Sequence, residues 1–191
     1  MPQNSLLPKL ARPPVVAASA LLAGFSLWMI QVRGLSVIPG FAVILRSGLP
    51  DMMFHYAPHS IYEKLTRFGF DGRLAYQLFL ERVDSLFPLI YGLFFLSSTA
   101  LTLIRLFPTR PALQQLSLLT LGTTFSDYAE NVCFLIFLRD YPREWPALEK
   151  IANLFTLAKW AFALFSLSLL IYTAFRLFFR TLRHGRAITT H

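Results

Sequence analysis

Four apolar segments set the limits on what this chain can fold into. Residues 15–32, 85–107, 113–138 and 151–175 are rich in Leu, Phe, Ile, Val and Ala and carry few charges. A helix of about 20 apolar residues crosses the hydrocarbon core of a bilayer, and each segment is close to that length or longer. We therefore expect an all-α integral membrane protein, a four-helix bundle forming a single domain over residues 1–191.

The composition agrees with a membrane protein. The 191 residues are 55% hydrophobic and only 15% charged, whereas soluble domains carry about 25% charged residues. The formal net charge is +8, but its placement argues against a nucleic-acid partner. Basic residues are in excess before the first span, between the second and third, and after the fourth. This alternation follows the positive-inside rule and predicts that both termini are cytoplasmic, in a multi-pass protein of the bacterial inner membrane.

The first apolar segment has an alternative reading as a cleaved signal peptide, because Lys9 and Arg12 precede it. No small-x-small cleavage site follows the segment, so we expect an uncleaved span.

The long segment between the first two spans, residues 34–83, is expected to fold as a partly helical outer loop that covers the bundle. Ser60 and Glu63 have the spacing of a capping box, which predicts a helix start at that point. Gly69 is a stop signal, and Asp71-Gly72 is a turn signal. The segment predicts a helix over 61–68, a turn at 71–72 and an amphipathic helix over 74–86.

His55 and His59 in this loop could bind a metal with Asp51 as a third ligand. Pro58 interrupts the helix that would bring the two histidines together, so we interpret them as a surface pair and predict no metal site.

Polar side chains recur on one face of the third span. Thr123, Asp127, Glu130 and Asn131 continue the helical spacing that starts at Thr120. Ionisable residues at membrane depth are costly, face the bundle interior and mark functional sites. This face is therefore the candidate site, and the residues expected to join it from the other spans are Asp84, Tyr91, Thr156, Lys159 and Trp160.

Depth counting places the charged residues in one layer. Nine residues separate Glu130 from Arg139 at the end of the third span, and nine separate Lys159 from Lys150 at the start of the fourth. Each interval is about 13 Å along a helix. Because consecutive spans are antiparallel, Glu130 and Lys159 should meet in the outer half of the bilayer, with Asp127 one turn deeper and Tyr91 in reach.

Two interpretations of this layer remain open. In the first, the layer is structural: Glu130 pairs with Lys159, and Asp127 is either protonated or hydrogen-bonded by Thr123 and Asn131, so that the network fixes the register of the helices. In the second, it binds a ligand or does chemistry, because two acids face one base and the excess negative charge leaves a carboxyl group available for a proton or a cation. Under the second interpretation Asp127, Glu130 and Lys159 are the candidate catalytic residues. The candidate ligand-binding residues are Asn131, Tyr91, Asp84, Thr123, Thr156 and Trp160.

The order of these motifs resembles a family of small four-helix membrane proteins of unassigned function. The pattern is Gly-Arg then Tyr, Asp then Pro-x-x-Tyr, Asp-x-x-Glu-Asn, and Phe-Thr-x-x-Lys-Trp, between residues 51 and 175. A looser likeness is to the sterol-isomerase and sigma-2-receptor-like group, whose cavities use buried acids to bind amine or sterol ligands. The matching positions are Gly72, Arg73, Tyr76, Asp84, Pro88, Tyr91, Asp127, Glu130, Asn131, Phe155, Thr156, Lys159 and Trp160.

Three functions are compatible with these patterns. The chain could bind or act on a lipid-like or amphipathic small molecule, with membrane lipids as its surroundings and the possibility of an oligomer. It could instead be a non-catalytic partner subunit whose polar network is structural, or a small proton-coupled transporter, although no internal repeat typical of transporters is present. No nucleotide-binding, haem-binding or zinc-protease motif is found, so no cofactor is expected.

Overall fold

The computed structural model describes residues 6–57 and 59–188, and it leaves out the side chains of residues 31–37, 51 and 183–188. Within this part of the chain the structure is helical and contains no β-strand. The helices are α1 (Leu6–Leu10), α2 (Pro13–Val37), α3 (Phe41–Ser47), α4 (Ser60–Arg82), α5 (Phe87–Leu106), α6 (Pro111–Gln115), α7 (Leu121–Asp140) and α8 (Pro146–Ile188), with short 3-10 turns at Pro50–Met52 and Leu116–Thr120.

Three of these helices are long and apolar enough to cross a membrane. The qualifying stretches are Pro13–Ile30 in α2, Phe87–Leu106 in α5 and Pro146–Leu182 in α8. They correspond to the first, second and fourth predicted spans. The third predicted span, residues 113–138, is not among them. It begins in the short helix α6, continues through a 3-10 turn, and carries the polar side chains of the candidate site on its long helical part, α7.

Helix α7 nevertheless lies among the other long helices. It packs most extensively on α8, and it also contacts α5 and α4. Its close approach to α5 depends on Gly92, where an added Cβ would come within 2.2 Å of the Thr124 Oγ1 atom. The Thr124 hydroxyl donates a hydrogen bond of 2.9 Å to the Pro88 carbonyl across the same contact. The polar face of α7 is thereby held inside the protein.

Proline residues begin most of the longer elements. Pro13, Pro88, Pro111 and Pro146 all lie in the first turn of a helix. Proline is tolerated there because the first backbone N–H groups of a helix have no partner within it. Pro88, which the sequence places near the start of the second span, therefore begins α5 without bending it.

Helices α3 and α4 pack against α7, and their buried side chains together make an aromatic core. Phe41 of α3, Tyr76 of α4, and Phe134 and Phe137 of α7 are all fully buried. The Tyr76 ring contacts the Phe134 ring edge-on, with centroids 5.9 Å apart. This part of the protein is therefore held together by a core like that of a soluble domain.

The structure confirms one predicted boundary in α4 and corrects two. Gly69 interrupts α4 with φ 64° and ψ −172°, which agrees with the predicted stop. The capping box is wrong, because His59 precedes the first helical residue and the buried Ser60 Oγ has no hydrogen-bond partner. The turn at Asp71-Gly72 is also wrong. These residues are helical, since burial of Gly72 against Val43 of α3 outweighs their turn propensity.

Arg73 bridges the kink at Gly69. Its guanidinium donates a hydrogen bond of 3.0 Å to the Leu65 carbonyl, on the other side of the interruption. The same group lies 4.0 Å from the centroid of the Tyr141 ring, a cation–π contact. Gly72, Arg73 and Tyr76, the first part of the sequence motif, thus have structural tasks in α4.

The two helical glycines with different surroundings provide a test of the α5–α7 contact. We expect Gly92→Ala to lower the free energy of unfolding by about 1–3 kcal/mol, since the added methyl group overpacks the contact with Thr124. Thermal unfolding in detergent micelles measures the effect. Gly24→Ala is the matched control, because no atom lies within 4 Å of the added Cβ. Equal stability of the two variants would contradict the close-packing argument.

Candidate functional site

A buried ion pair joins α7 to α8. Lys159 Nζ donates to Glu130 Oε2, and the Thr156 hydroxyl donates to Glu130 Oε1. The Glu130 side chain has no exposed surface, and that of Lys159 is 10% exposed. The predicted meeting of Glu130 and Lys159 is therefore confirmed, and Thr156 lies beside them as its helical spacing requires.

Asp127 lies one turn away and has different partners. The Tyr91 hydroxyl donates a hydrogen bond of 2.6 Å to Asp127 Oδ2, and Lys159 Nζ lies 3.3 Å from Asp127 Oδ1. Lys159 consequently contacts two carboxylates. The prediction that Tyr91 reaches this layer is confirmed.

The side chains of Thr123 and Asn131 form no hydrogen bond to Asp127, in contrast to the structural interpretation of the sequence. Thr123 Oγ1 is buried without a partner. Asn131 Nδ2 instead donates a hydrogen bond of 2.6 Å to Asp84 Oδ2. The reason is the turn before α5, which buries Asp84 against α7 and offers Asn131 an acceptor from another element. Asp84 is thus part of the polar layer.

An open cavity of about 290 Å³ adjoins these polar groups. Asp127 and Lys159 line it, whereas Glu130 does not. The two acids of α7 therefore differ. Glu130 is fully buried in contact with Lys159, and Asp127 lines the cavity. The remaining lining residues are Leu27, Met52, Asp84, Phe87, Tyr91, Phe95, Thr123, Trp160 and Ala163.

The segment before α4 is fixed to α8 next to this cavity. Trp160 Nε1 donates a hydrogen bond of 3.0 Å to the Met53 carbonyl, and its ring lies 4.4 Å from that of Phe54, centroid to centroid. Nearer the start of α8, His55 Nδ1 lies within 2.9 Å of Asn153 Nδ2. Residues 52–57 therefore lie along the N-terminal part of α8.

Tyr56 extends the polar layer toward this segment. Its hydroxyl lies 3.4 Å from Thr156 Oγ1, and the residue is 3% exposed. Burial raises the pKa of the Tyr56 phenol, and the nearby negative charge of Glu130 raises it further. The phenol therefore stays protonated over the physiological pH range.

The two histidines of the segment before α4 contact neighbouring side chains. His59 Nδ1 lies 3.0 Å from Glu144 Oε2, and His55 contacts Asn153. The described residues contain no group of three or more His, Cys, Asp or Glu side chains arranged to hold a metal ion. The side chain of Asp51, the third ligand considered from the sequence, and the whole of Pro58 lie outside the described residues.

Sequence reasoning missed the apolar wall of the cavity. This wall is formed by Leu27 of α2, Met52 of the 3-10 turn before α4, and Phe87 and Phe95 of α5. They carry no sequence signal, since they look like any other apolar residue of a span or loop. Only Phe95 could have been inferred, because it lies one turn after Tyr91 on the same helix.

The chain was compared with protein-family models, with curated proteins and with solved structures. None of the three comparisons gives a match. The interpretation of the site therefore depends on its geometry.

The ion pair makes a testable prediction about stability. Lys159→Ala should lower the free energy of unfolding by roughly 3–5 kcal/mol, because the charge of Glu130 stays buried without a counter-charge. The double variant Lys159→Ala/Glu130→Gln should recover much of this loss, since the uncompensated charge is gone. Thermal unfolding of purified protein in one detergent measures both. If the single and double variants are equally destabilised, the pairing does not carry this energy.

Proposed function

We propose that this chain is a multi-pass membrane protein that binds an amphipathic, positively charged small molecule in the cavity beside Asp127. In this proposal α2, α5, α7 and α8 form a four-helix membrane bundle with both termini in the cytoplasm. The segment before α4, which includes Met52, covers the cavity from the side of the membrane opposite to the cytoplasm. The observation that carries the proposal is the cavity itself, which is lined by an ionisable residue from each of two helices, Asp127 of α7 and Lys159 of α8.

The balance of charge favours a cation. Among the described residues, Asp127 and Glu130 are two acids that share one base, Lys159. Two negative charges and one positive charge give this group a formal charge of −1 when both acids are ionised. Glu130 makes the closest contact with Lys159, which leaves Asp127 the acid that faces the cavity. A cation on the ligand, or a bound proton, would compensate this excess charge.

The walls of the cavity suit an apolar body attached to such a charge. Tyr91 lies between the rings of Phe87 and Phe95, with centroid distances of 5.2 Å and 6.5 Å. Trp160 of α8 also lines the cavity. Aromatic faces attract organic cations through their quadrupole, in addition to the apolar contact that they offer. The volume is at the lower end of the range of about 300–1,000 Å³ that is typical of small-molecule sites.

The pairing between helices supports a second candidate function, a partner subunit whose polar layer is structural. Asp127 is bonded to α5 and α8, Glu130 to α8, and Asn131 to the turn before α5. Such contacts fix the register of neighbouring helices in a membrane. This candidate does not require the open space beside Asp127, and it predicts no affinity for organic cations. The proton-coupled transporter remains a third proposal, in which Asp127 would carry the proton.

Binding of matched probes tests the proposal. Purified protein in neutral-lipid nanodiscs is titrated with dodecylamine, which is charged at pH 7, and with dodecanol, its neutral analogue. We expect the amine to bind and dodecanol to bind far more weakly. Asp127→Asn should weaken the binding of the amine by roughly 10- to 100-fold, the usual effect of losing a hydrogen bond to a charged group. Native mass spectrometry counts the bound probe.

The control is Glu63→Gln, which removes an acid whose side chain is 68% exposed on α4. It should bind the amine as the wild type does. Unchanged amine binding by Asp127→Asn, or equal binding of amine and alcohol, would contradict the cation site and favour the structural subunit.

A further inference from the structure

A second cavity, separate from the polar layer, lies on the other side of Phe87. It has a volume of about 230 Å³ and lies between α2 and the junction of α4 with α5. Among the described residues, its lining is apolar except for Ser26 and Arg82. We call this cavity the α2 groove, and its walls include Phe25, Met29, Ile38 and Leu86.

The α2 groove begins where two candidate spans end on the same side. The apolar stretch of α2 ends at Ile30, and that of α5 begins at Phe87. Both residues line the groove. Phe25 lies five residues before Ile30, which is about 7.5 Å deeper along the helix. The groove therefore extends from the edge of the apolar zone into it, along the path of a lipid acyl chain.

Arg82 lies at the end of this groove where α4 meets α5. It is the last residue of α4 and is exposed. Within the described part of the chain, no hydrogen bond, ion pair or ring contact involves its guanidinium. The group is positioned five residues before the first residue of the α5 span, at the level of lipid head groups. A free guanidinium above an apolar groove has the charge pattern complementary to an anionic lipid.

We propose that the α2 groove binds one anionic phospholipid of the adjoining leaflet. The phosphodiester accepts hydrogen bonds from the planar guanidinium of Arg82, a geometry that allows two parallel contacts. One acyl chain occupies the groove beside Phe25 and Met29. Recognition of the head group comes from its charge, because the other residues that the structure describes at this end of the groove are apolar.

This site does not depend on the proposed cation site. Asp127 and Lys159 do not line the α2 groove, and Arg82 does not line the cavity beside Asp127. Phe87 is the one residue common to both linings. Binding of the lipid and binding of the amine are therefore measured independently, and the failure of one proposal is distinguishable from the failure of the other.

Lipid retention tests the proposal. The protein is purified from nanodiscs that contain equal amounts of phosphatidylglycerol and phosphatidylcholine, and retained lipids are counted by native mass spectrometry. We expect the wild type to retain a single phosphatidylglycerol in preference to phosphatidylcholine. Arg82→Gln should reduce this preference about fivefold, the usual contribution of one basic residue at an anionic membrane surface. Arg82→Lys should keep most of it.

The matched control is Arg67→Gln, which removes another arginine of α4 whose side chain is 74% exposed. It should leave the preference unchanged. Met29→Trp fills the groove and should reduce retention of both lipids, which separates acyl-chain binding from head-group attraction. Inorganic phosphate at millimolar concentration should not displace the lipid. Equal retention of the two lipids by the wild type, or an unchanged preference in Arg82→Gln, would overturn the proposal.

Discussion

The ion pair between Glu130 and Lys159 determines how α7 and α8 lie against each other. A charged side chain in an apolar environment is tolerated only when its counter-charge and hydrogen-bond donors are in place. Glu130 obtains both from α8, through Lys159 and Thr156. Because the two partners lie on different helices, this requirement fixes the depth and rotation of α7 relative to α8. The other polar contacts then follow from that register, including the approach of Asp127 to Tyr91.

Burial divides the two acids of α7 into different tasks. Glu130 is enclosed, and its two oxygens are occupied by donors of α8. Asp127, less than one helical turn away, keeps one edge toward open space. A carboxylate with this surrounding is held in orientation by Tyr91 but can still meet a ligand. The same network can therefore stabilise the helix packing and present a charge, so the structural and binding roles do not exclude each other.

Much of the fold could be predicted from local sequence, but the division of roles could not. Hydropathy identified three of the helices, and depth counting brought Glu130, Lys159 and Tyr91 together, since helix rise is constant. It could not show that Asn131 prefers Asp84 to Asp127, because that choice depends on the turn before α5. The capping box at Ser60 and the turn at Asp71-Gly72 failed for a related reason: tertiary packing on α3 outweighs short-range propensity. Apart from Phe95, the apolar wall of the cavity carries no local signal.

The length of α8 connects the site to a distant part of the protein through one continuous helix. The helix is continuous over Pro146–Ile188, and no proline or glycine lies between Ala147 and His184. Bends in helices occur mainly at such residues, so this one behaves as a stiff rod. Twenty-nine residues separate Lys159 from Ile188, about 43 Å of helix. A tilt of about 5° at Lys159 would move the far end by about 4 Å. Hydrogen bonds of Thr173 and Arg180 hold this length of α8 to α5, so such a movement would be transmitted to the end of α5.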